Sequence, residues 1–221
     1  MPIVVKSLGV GEQYLDYEQT WQQQREIHSQ VVSGSAPDQV LLLEHSSVYT
    51  AGRRTESSDL PVDGTAVVTV DRGGKITWHG PGQLVGYPIL HLPSPLEVVP
   101  HVRRIEDVLI GVCSELGLDV TRIKGRSGVW ISDTRGDRKL AAIGVRVAQG
   151  VTMHGFALNC SNQLTDFDKI VPCGISDAGV TTLTAELGRT IEPHEILELV
   201  TAHLHRVFDE VTAPLPKVAT A

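Results

Sequence analysis

Residues 139–159 read KLAAIGVRVAQGVTMHGFALN, and this stretch decides the fold class. Residues 139–148 and 151–159 each have the apolar character and the length of a strand, and the turn pair Gln149-Gly150 joins them. Two such runs around a short glycine-containing turn predict an antiparallel hairpin. We therefore expect a sheet that is mostly antiparallel.

Apolar patterns on both sides of this hairpin predict further elements. Helix 101–116 ends before Gly117, a typical C-terminal stop, and the last helix begins at Pro193, a favoured first-turn residue. The other expected elements are strands at 40–43, 48–51, 66–70, 84–92 and 129–131 and helices at 12–33 and 182–187. The pattern predicts one mixed α/β domain of the α+β class, in residues 1–212, with helices flanking the sheet. Residues 213–221 are expected to be a frayed tail.

Composition excludes several classes of protein. The chain has 221 residues, of which 41% are hydrophobic and 20% charged, as in an ordinary globular domain. No run approaches the ~18 apolar residues of a membrane span. The first residues have no basic segment followed by a long apolar one, so we expect no secretory signal and no membrane association.

Three widely spaced cysteines, Cys113, Cys160 and Cys173, do not form a disulfide framework or a zinc-binding CxxC pair. They predict a reducing, cytoplasmic compartment. The nine histidines have no metal-ligand spacing, so we expect no bound metal.

The net charge of −7 disfavours nucleic acid as a partner. Residues 53–146 nevertheless carry 13 basic and 11 acidic residues, whereas the remainder carries 6 and 15. This distribution predicts that an acidic partner docks on the middle of the chain, around Arg53, Arg54 and Arg72. The alternative is an uneven surface charge without function.

Residues 71–83 read DRGGKITWHGPGQ and form the densest candidate site. The glycines and prolines are expected to break any regular element and to leave backbone N–H groups for a ligand. The segment lacks both the GxxxxGK[ST] and the GxGxxG pattern. Arg72, His79 and Gln83 favour a binding site over a tight connection between strands.

Cys173 and Lys139 are the candidate reactive residues. Cys173 lies in a Pro-Cys-Gly turn, where a thiol is accessible, while Cys113 lies on the apolar face of a helix. Lys139 opens an apolar strand and is a candidate acid/base partner for a thiol. From context alone, Cys173 could equally be an ordinary turn residue, and the context of Lys139 favours a surface lysine.

Several ordered motifs resemble the LipB family, the octanoyl-[acyl carrier protein]–protein N-octanoyltransferases of lipoate biosynthesis. The motifs are LEHSSVYTAGRR (43–54), RGGKITWHGPGQLVGYPI (72–89), GRSGVWI (125–131), KLAAIGVRV (139–147), HGFALN (154–159), IVPCGI (170–175) and GVTTL (179–183). They span about two-thirds of the chain. The resemblance implies the fold of the biotin/lipoate ligases.

The resemblance also implies an activity. LipB-like enzymes take an octanoyl chain from acyl carrier protein, hold it as a cysteine thioester, and pass it to a lysine. The acceptors are lipoyl domains of 2-oxoacid dehydrogenases and the glycine-cleavage H protein, and no cofactor is needed. The resemblance places the nucleophile at Cys173 and the acid/base at Lys139. It places the substrate-binding residues at Arg72, Gly73, Gly74, Lys75, Ile76, Thr77, Trp78, His79, Ala142, Ile143, Gly144, Gly155, Phe156 and Ala157. Small residues at 142, 144, 155 and 157 are expected to leave room for the acyl tail.

Two other functions fit the same residues. An ATP-dependent lipoate or biotin ligase would share the fold but would not need a nucleophilic cysteine. A non-catalytic module would bind acyl carrier protein or lipoyl domains without transferring a group.

Overall fold

The computed structural model describes residues 2–93, 97–170 and 177–211, which form two β-sheets and four α-helices. The strands are β1 (Val4–Ser7), β2 (Gln39–Leu43), β3 (Val48–Ala51), β4 (Val67–Thr69), β5 (Thr77–His79), β6 (Gln83–Ile89), β7 (Thr121–Ile123), β8 (Arg126–Asp133), β9 (Gly136–Ala148), β10 (Val151–Asn159) and β11 (Gly179–Val180). The α-helices are α1 (Tyr17–Val32), α2 (Val98–Glu115), α3 (Leu183–Leu187) and α4 (Leu197–Phe208). Short 3-10 helices lie at Ser57–Asp59, Thr165–Lys169 and Pro193–Ile196.

The larger sheet has the strand order β1-β2-β6-β10-β9-β8-β7, and β11 pairs with β9 beyond the end of β10. Its strand pairs are antiparallel except β1–β2 and β9–β11. A smaller sheet has the order β4-β3-β5. The predicted mixed, mostly antiparallel sheet is therefore confirmed.

The hairpin of β9 and β10 forms as predicted. Its register extends from Ala148 opposite Val151 to Ala141 opposite Leu158. Gln149 and Gly150 have φ angles of 51° and 78°, the two positive values that a type I′ turn requires.

Helices cover both faces of the larger sheet. On one face α2 packs against β8, β9 and β10 and against α4, and on the other α1 packs against β6 and β10. Every residue of β2, β6 and β10 is consequently buried. Strands covered on both faces have continuous apolar runs, which explains the pattern at 40–43.

The first helix begins later than predicted. Gly9 and Gly11 have φ angles of 74° and 79°, and the amide of Glu12 donates to the carbonyl of Gly9, so a turn occupies this part of the chain. Asp16 then caps the helix, because its carboxylate accepts from the amide of Gln19 at 2.9 Å.

The prediction that residues 71–83 break every regular element is wrong for four residues, because Gln83 begins β6 and three others form a strand of their own. Thr77–His79 forms β5, which pairs antiparallel with β3. The glycines flank this strand rather than interrupt it. Similarly, the segment after Pro193 begins as a 3-10 helix and becomes α-helical at Leu197.

Candidate active site

A cavity of about 620 Å³ lies between the glycine-rich segment, the hairpin of β9 and β10, and the start of α1. Its described lining comprises Tyr17, Arg53, Arg54, Thr55, Glu56, Arg72, Gly74, Lys75, Thr77, His79, Tyr87, Gly125, Arg126, Ser127, Lys139, Ala142, Ile143, Gly144, His154, Gly155, Phe156 and Ala157. Three chain segments that are far apart in the sequence thus meet at one site.

The cavity brings together most of the substrate-binding residues predicted from the sequence. Gly73, Ile76 and Trp78 are not in its lining. Ile76 and Trp78 instead pack in a core with Tyr49 and Phe167. Side chains alternate along a strand, so Thr77 and His79 face the cavity while their neighbours face away from it.

Lys139 reaches the cavity because of a β-bulge. Val129 of β8 lies opposite Ala141, but the next residue, Trp130, lies opposite Lys139, so β9 has one extra residue between them. Leu140 and Ala141 are both fully buried in the core beneath α2 and α4, and Lys139 and Ala142 both line the cavity. A bulge shifts the alternation of side chains by one residue, which turns Lys139 from the core to the cavity.

The surroundings of Lys139 differ from those of a surface lysine. Only 7% of the residue is exposed, and Nζ lies 4.7 Å from the centroid of the Trp130 indole ring. Within residues 2–93, 97–170 and 177–211, no carboxylate forms an ion pair with this ammonium group. The alternative of a solvated surface lysine is wrong.

Cys173 lies outside the described residues, and the chain on either side of residues 171–176 packs against strands that border the cavity. Before them, Ile170 packs in the same core as Trp78. After them, Val180 pairs with Lys139, and the amide of Thr181 donates to the Lys139 carbonyl at 3.0 Å. The chain that follows residue 176 is therefore anchored to the strand that carries Lys139.

The two described cysteines are buried. Cys113 and Cys160 each have no exposed surface. Burial raises the pKa of the Cys113 thiol to about 12 and also raises that of Cys160. Neither thiol is suited to act as a nucleophile.

Arg72 stabilises the glycine-rich segment through hydrogen bonds to its backbone. Its guanidinium donates to the carbonyls of Gly73, Lys75 and Thr50 at 3.1, 2.8 and 2.7 Å, and 7% of the residue is exposed. Arg72 is buried and bonded to the backbone, so a partner would contact the cavity mouth rather than Arg72 itself, and its role in docking stays a prediction. Arg53 and Arg54 are exposed.

Asp71 links this segment to the hairpin. Its carboxylate accepts from Nε2 of His154 at 2.8 Å and from the guanidinium of Arg146. The hydrogen bond from His154 lowers the pKa of Asp71, and burial lowers that of His154. His154 has a φ of 57°, a strained value for a residue other than glycine. The surrounding fold therefore keeps the contact with Asp71 although the backbone conformation of His154 is unfavourable.

Two of the small residues do not leave the room predicted for an acyl tail. A Cβ on Gly155 would overlap the carbonyl of Gly86, and one on Gly144 would lie 2.9 Å from the carbonyl oxygen of Gly73. Backbone therefore occupies the space that these glycines leave. Ala142 and Ala157, which lie opposite each other in the register, line the cavity.

A cluster of rings lies beside the cavity, and Tyr17, His79 and Tyr87 belong to its lining. Tyr17 stacks on His79 with centroids 5.9 Å apart, and Nε2 of His45 is 2.6 Å from the hydroxyl of Tyr87. Burial lowers the pKa of His79 to about 3 and that of His45 to about 4, so both rings are neutral at pH 7. The sequence did not distinguish Tyr17 and Tyr87 from ordinary core tyrosines, because both also fit the apolar pattern of their elements.

The described residues contain no cluster of three or more His, Cys, Asp or Glu side chains that could hold a metal. Within the same parts of the chain, no helix combines the length and the apolar character needed to cross a membrane.

A family model described as the lipoyl protein ligase A/B catalytic domain matches residues 16–205. The chain belongs to this family. Among lipoyl protein ligase A/B domains it is similar to the octanoyltransferase of Salinispora tropica, with 64% identity over 192 residues that cover 86% of this chain and 90% of the relative. The chain is an acyltransferase of the LipB branch, as the motifs predicted.

Solved structures show the same fold. A lipoate protein ligase from Thermoplasma acidophilum matches with a TM-score of 0.64 and 13% identity, covering 95% of this chain and 83% of that chain. The apo biotin protein ligase of Aquifex aeolicus matches with a TM-score of 0.50 and 11% identity, over 94% of this chain and 68% of that chain. The predicted biotin/lipoate ligase fold is thereby confirmed.

Proposed function

We propose that this acyltransferase moves an octanoyl group from octanoyl-acyl carrier protein to a lysine of a lipoyl domain, through a thioester on Cys173. The observation that carries the proposal is the position of Lys139, buried in the cavity wall and without a carboxylate partner among the described residues. The octanoyltransferases at 50–64% identity support the octanoyl group as the cargo.

The cavity suits an acyl chain. Ala142, Ile143, Phe156 and Ala157 contribute apolar surface on the hairpin side. At ~0.8 kcal/mol for each buried CH₂ group, an octanoyl tail would contribute several kcal/mol of binding free energy. A thioester donor is already activated, so the transfer to an amine needs no nucleotide.

Lys139 would act as the acid/base group. In the first half-reaction it accepts the proton of the Cys173 thiol, and the thiolate attacks the thioester carbonyl. The tetrahedral intermediate collapses, and the carrier's thiol leaves with the proton from Lys139. In the second half-reaction Lys139 accepts a proton from the attacking amine of the acceptor and donates it to the sulfur of Cys173, which leaves as the thiol.

The anchoring of the segment after residue 176 supports this pairing. Val180 pairs with Lys139 only seven positions after Cys173, so the two reactive residues are tethered by a short stretch of chain. Seven residues reach at most ~25 Å when fully extended, which sets an upper limit on the distance between the Cα atoms of Cys173 and Val180.

The acceptor proposal rests on family membership and on one structural relative. The lipoylation system of Thermoplasma acidophilum pairs a bi-partite lipoate protein ligase with its E2 lipoyl domain. For this chain, a lipoyl domain or the glycine-cleavage H protein would present its lysine at the cavity mouth, beside the exposed Arg53 and Arg54.

The experiment is an incubation with octanoyl-acyl carrier protein followed by intact-mass spectrometry. We expect an octanoyl adduct on the wild-type protein, which is discharged when an apo lipoyl domain is added. Octanoylation of the domain without any adduct would exclude the covalent route. Transfer that requires octanoate and ATP instead of the thioester would identify a ligase.

A further inference from the structure

The cavity is strongly basic in a protein that is acidic as a whole. Its described lining contains six cationic residues, Arg53, Arg54, Arg72, Lys75, Arg126 and Lys139, and one acidic residue, Glu56, whereas the net charge of the chain is −7. A neutral acyl thioester does not need this charge. The excess of cationic side chains would suit an anionic part of the ligand.

Most of these cationic groups contact other described residues. Lys75 forms ion pairs with Glu56 and Asp59 at 2.9 and 3.0 Å, and Arg126 forms one with Asp177 at 2.6 Å. Arg72 bonds to backbone carbonyls, and Lys139 lies against Trp130 in the interior. Arg53 and Arg54 differ from Arg72 and Lys139 in being exposed to solvent.

The guanidinium groups of Arg53 and Arg54 have no acidic partner among the described residues. The residues outside the described ranges, which are Met1, 94–96, 171–176 and 212–221, include no Asp or Glu. Both side chains are exposed, so they stand at the solvent end of the cavity. They form an unneutralised double positive charge at its mouth.

The backbone of this pair is held firmly. The amide of Arg53 donates to the carbonyl of Arg72 at 3.1 Å, and that of Arg54 to the carbonyl of Gly74 at 3.0 Å. Gly52 permits this close approach, because a Cβ there would lie 2.5 Å from the carbonyl oxygen of Gly74. The two guanidinium groups are therefore presented from a fixed backbone, which reduces the entropy lost when they bind an anion.

We propose that Arg53 and Arg54 bind the phosphate of the phosphopantetheine arm that carries the acyl thioester. The inference rests on the proposed function, because it assigns the donor's arm to the same cavity. In such an arm the phosphate is at the opposite end from the thioester, which matches exposed arginines at the mouth and Lys139 in the interior. Guanidinium groups bind phosphate through paired, charge-assisted hydrogen bonds.

A phosphate fits these observations better than a carboxylate on a partner protein. Arg53 and Arg54 belong to the lining of the cavity, which a narrow arm can enter. The surface of a folded partner would meet the outer rim instead. A partner carboxylate is the competing outcome that the experiment distinguishes.

The experiment uses two stable thioethers, S-octyl-4′-phosphopantetheine and S-octylpantetheine, which differ only in the phosphate. Their dissociation constants are measured by calorimetry for the wild type and for Arg53→Gln/Arg54→Gln. Arg189→Gln is the matched control, because Arg189 is exposed, has no ionic partner among the described residues and is not part of the cavity lining.

We expect the wild type and Arg189→Gln to bind the phosphorylated thioether ~10-fold or more tightly than S-octylpantetheine. This difference is the scale of one charge-assisted hydrogen bond. In Arg53→Gln/Arg54→Gln this preference should fall below about twofold, while S-octylpantetheine binds as in the wild type. Equal weakening for both thioethers would overturn the assignment, because the arginines would then merely shape the cavity. Equal affinity of the wild type for the two thioethers would overturn the assignment as well.

A third ligand, the S-octyl thioether of holo-acyl carrier protein, tests for the partner carboxylate. If the double variant weakens binding of this carrier but of neither small thioether, the arginines contact the carrier protein and the phosphate assignment is wrong. None of these measurements requires transfer. A wild type that forms no acyl adduct yet prefers the phosphorylated thioether would contradict the proposed function and support the phosphate site.

Discussion

Lys139 and Trp130 lie opposite each other on β9 and β8, with the ammonium nitrogen 4.7 Å from the centroid of the indole ring. The face of an indole attracts a cation, and burial makes the contact stronger than it would be in water. Trp130 is itself 1% exposed, so it forms a rigid wall behind Lys139. This contact directs the amine of Lys139 toward the cavity.

We expect Lys139→Arg to fold normally and to lose transfer by ~10²-fold or more, the scale of general acid/base catalysis. A guanidinium retains the charge but does not release its proton near neutral pH. The measurement is octanoyl transfer to an apo lipoyl domain, with the unfolding transition as the control for folding. Lys139→Ala should lose transfer too, and its Cys173 alkylation profile should move to higher pH, since no ammonium group favours the thiolate. If Lys139→Ala left both properties unchanged, Lys139 would have no catalytic role.

Cys173 should be the thiol that iodoacetamide modifies at about pH 8, near the ordinary pKa of a thiol. Cys113 and Cys160 are fully buried, and burial raises the pKa of both. Peptide mapping of the labelled native protein should find the modification on Cys173, and Cys173→Ser should abolish both labelling and transfer. Cys113→Ala is the matched control and should retain transfer. A fully active Cys173→Ser enzyme would exclude the thioester intermediate.

Ala142→Leu should shorten the acyl chain that the enzyme accepts. Ala142 lines the cavity opposite Ala157, so the larger side chain would occupy space assigned to the tail. We expect octanoyl transfer to fall ~10-fold or more, the cost of a misfit of one or two methylene groups, with butanoyl transfer retained. The comparison is made with Ala185→Leu, at an exposed position of α3. An equal loss for both chain lengths would place the tail elsewhere.

Stability should fall steeply between about pH 7 and pH 5. Burial lowers the pKa of His45 and His101 to about 4 and that of His79 to about 3, so these rings stay neutral in the folded protein. In the unfolded chain they bind protons below about pH 6.5, so acid favours unfolding, and each ring costs ~2 kcal/mol at pH 5. The combined loss of unfolding free energy from three such rings is comparable to the roughly 5–15 kcal/mol that stabilises a typical domain. Urea unfolding at the two pH values measures the effect.

His101 allows this pH dependence to be tested away from the cavity. It packs against Phe208, and its Nε2 has no hydrogen-bond partner within the described part of the chain. His101→Leu should reduce the loss of unfolding free energy between pH 7 and pH 5 by ~2 kcal/mol. The same substitution at the exposed His194 is the control. An unchanged loss in His101→Leu would show that other groups control the acid response.

Local patterns in the sequence were sufficient to predict the hairpin and to select segments that line the cavity. Alternation and turn chemistry are properties of neighbouring residues, so residues 139–159 predicted β9 and β10, and the glycines around Arg72 predicted a binding segment. The order of the motifs was also sufficient to identify the family.

The direction of Lys139 was decided by the tertiary structure alone. Simple alternation would place Lys139 on the same face as Ala141 and Ile143, in the core under α2. The extra residue opposite Val129 and Trp130 reverses that alternation, and it exists only through the pairing of β9 with a neighbouring strand. The roles of Gly144 and Gly155 were likewise decided by contacts with the backbones of Gly73 and Gly86. The sequence determines which local structure each residue favours. The atoms that fill the space beside a residue belong to distant segments, which only the fold brings together.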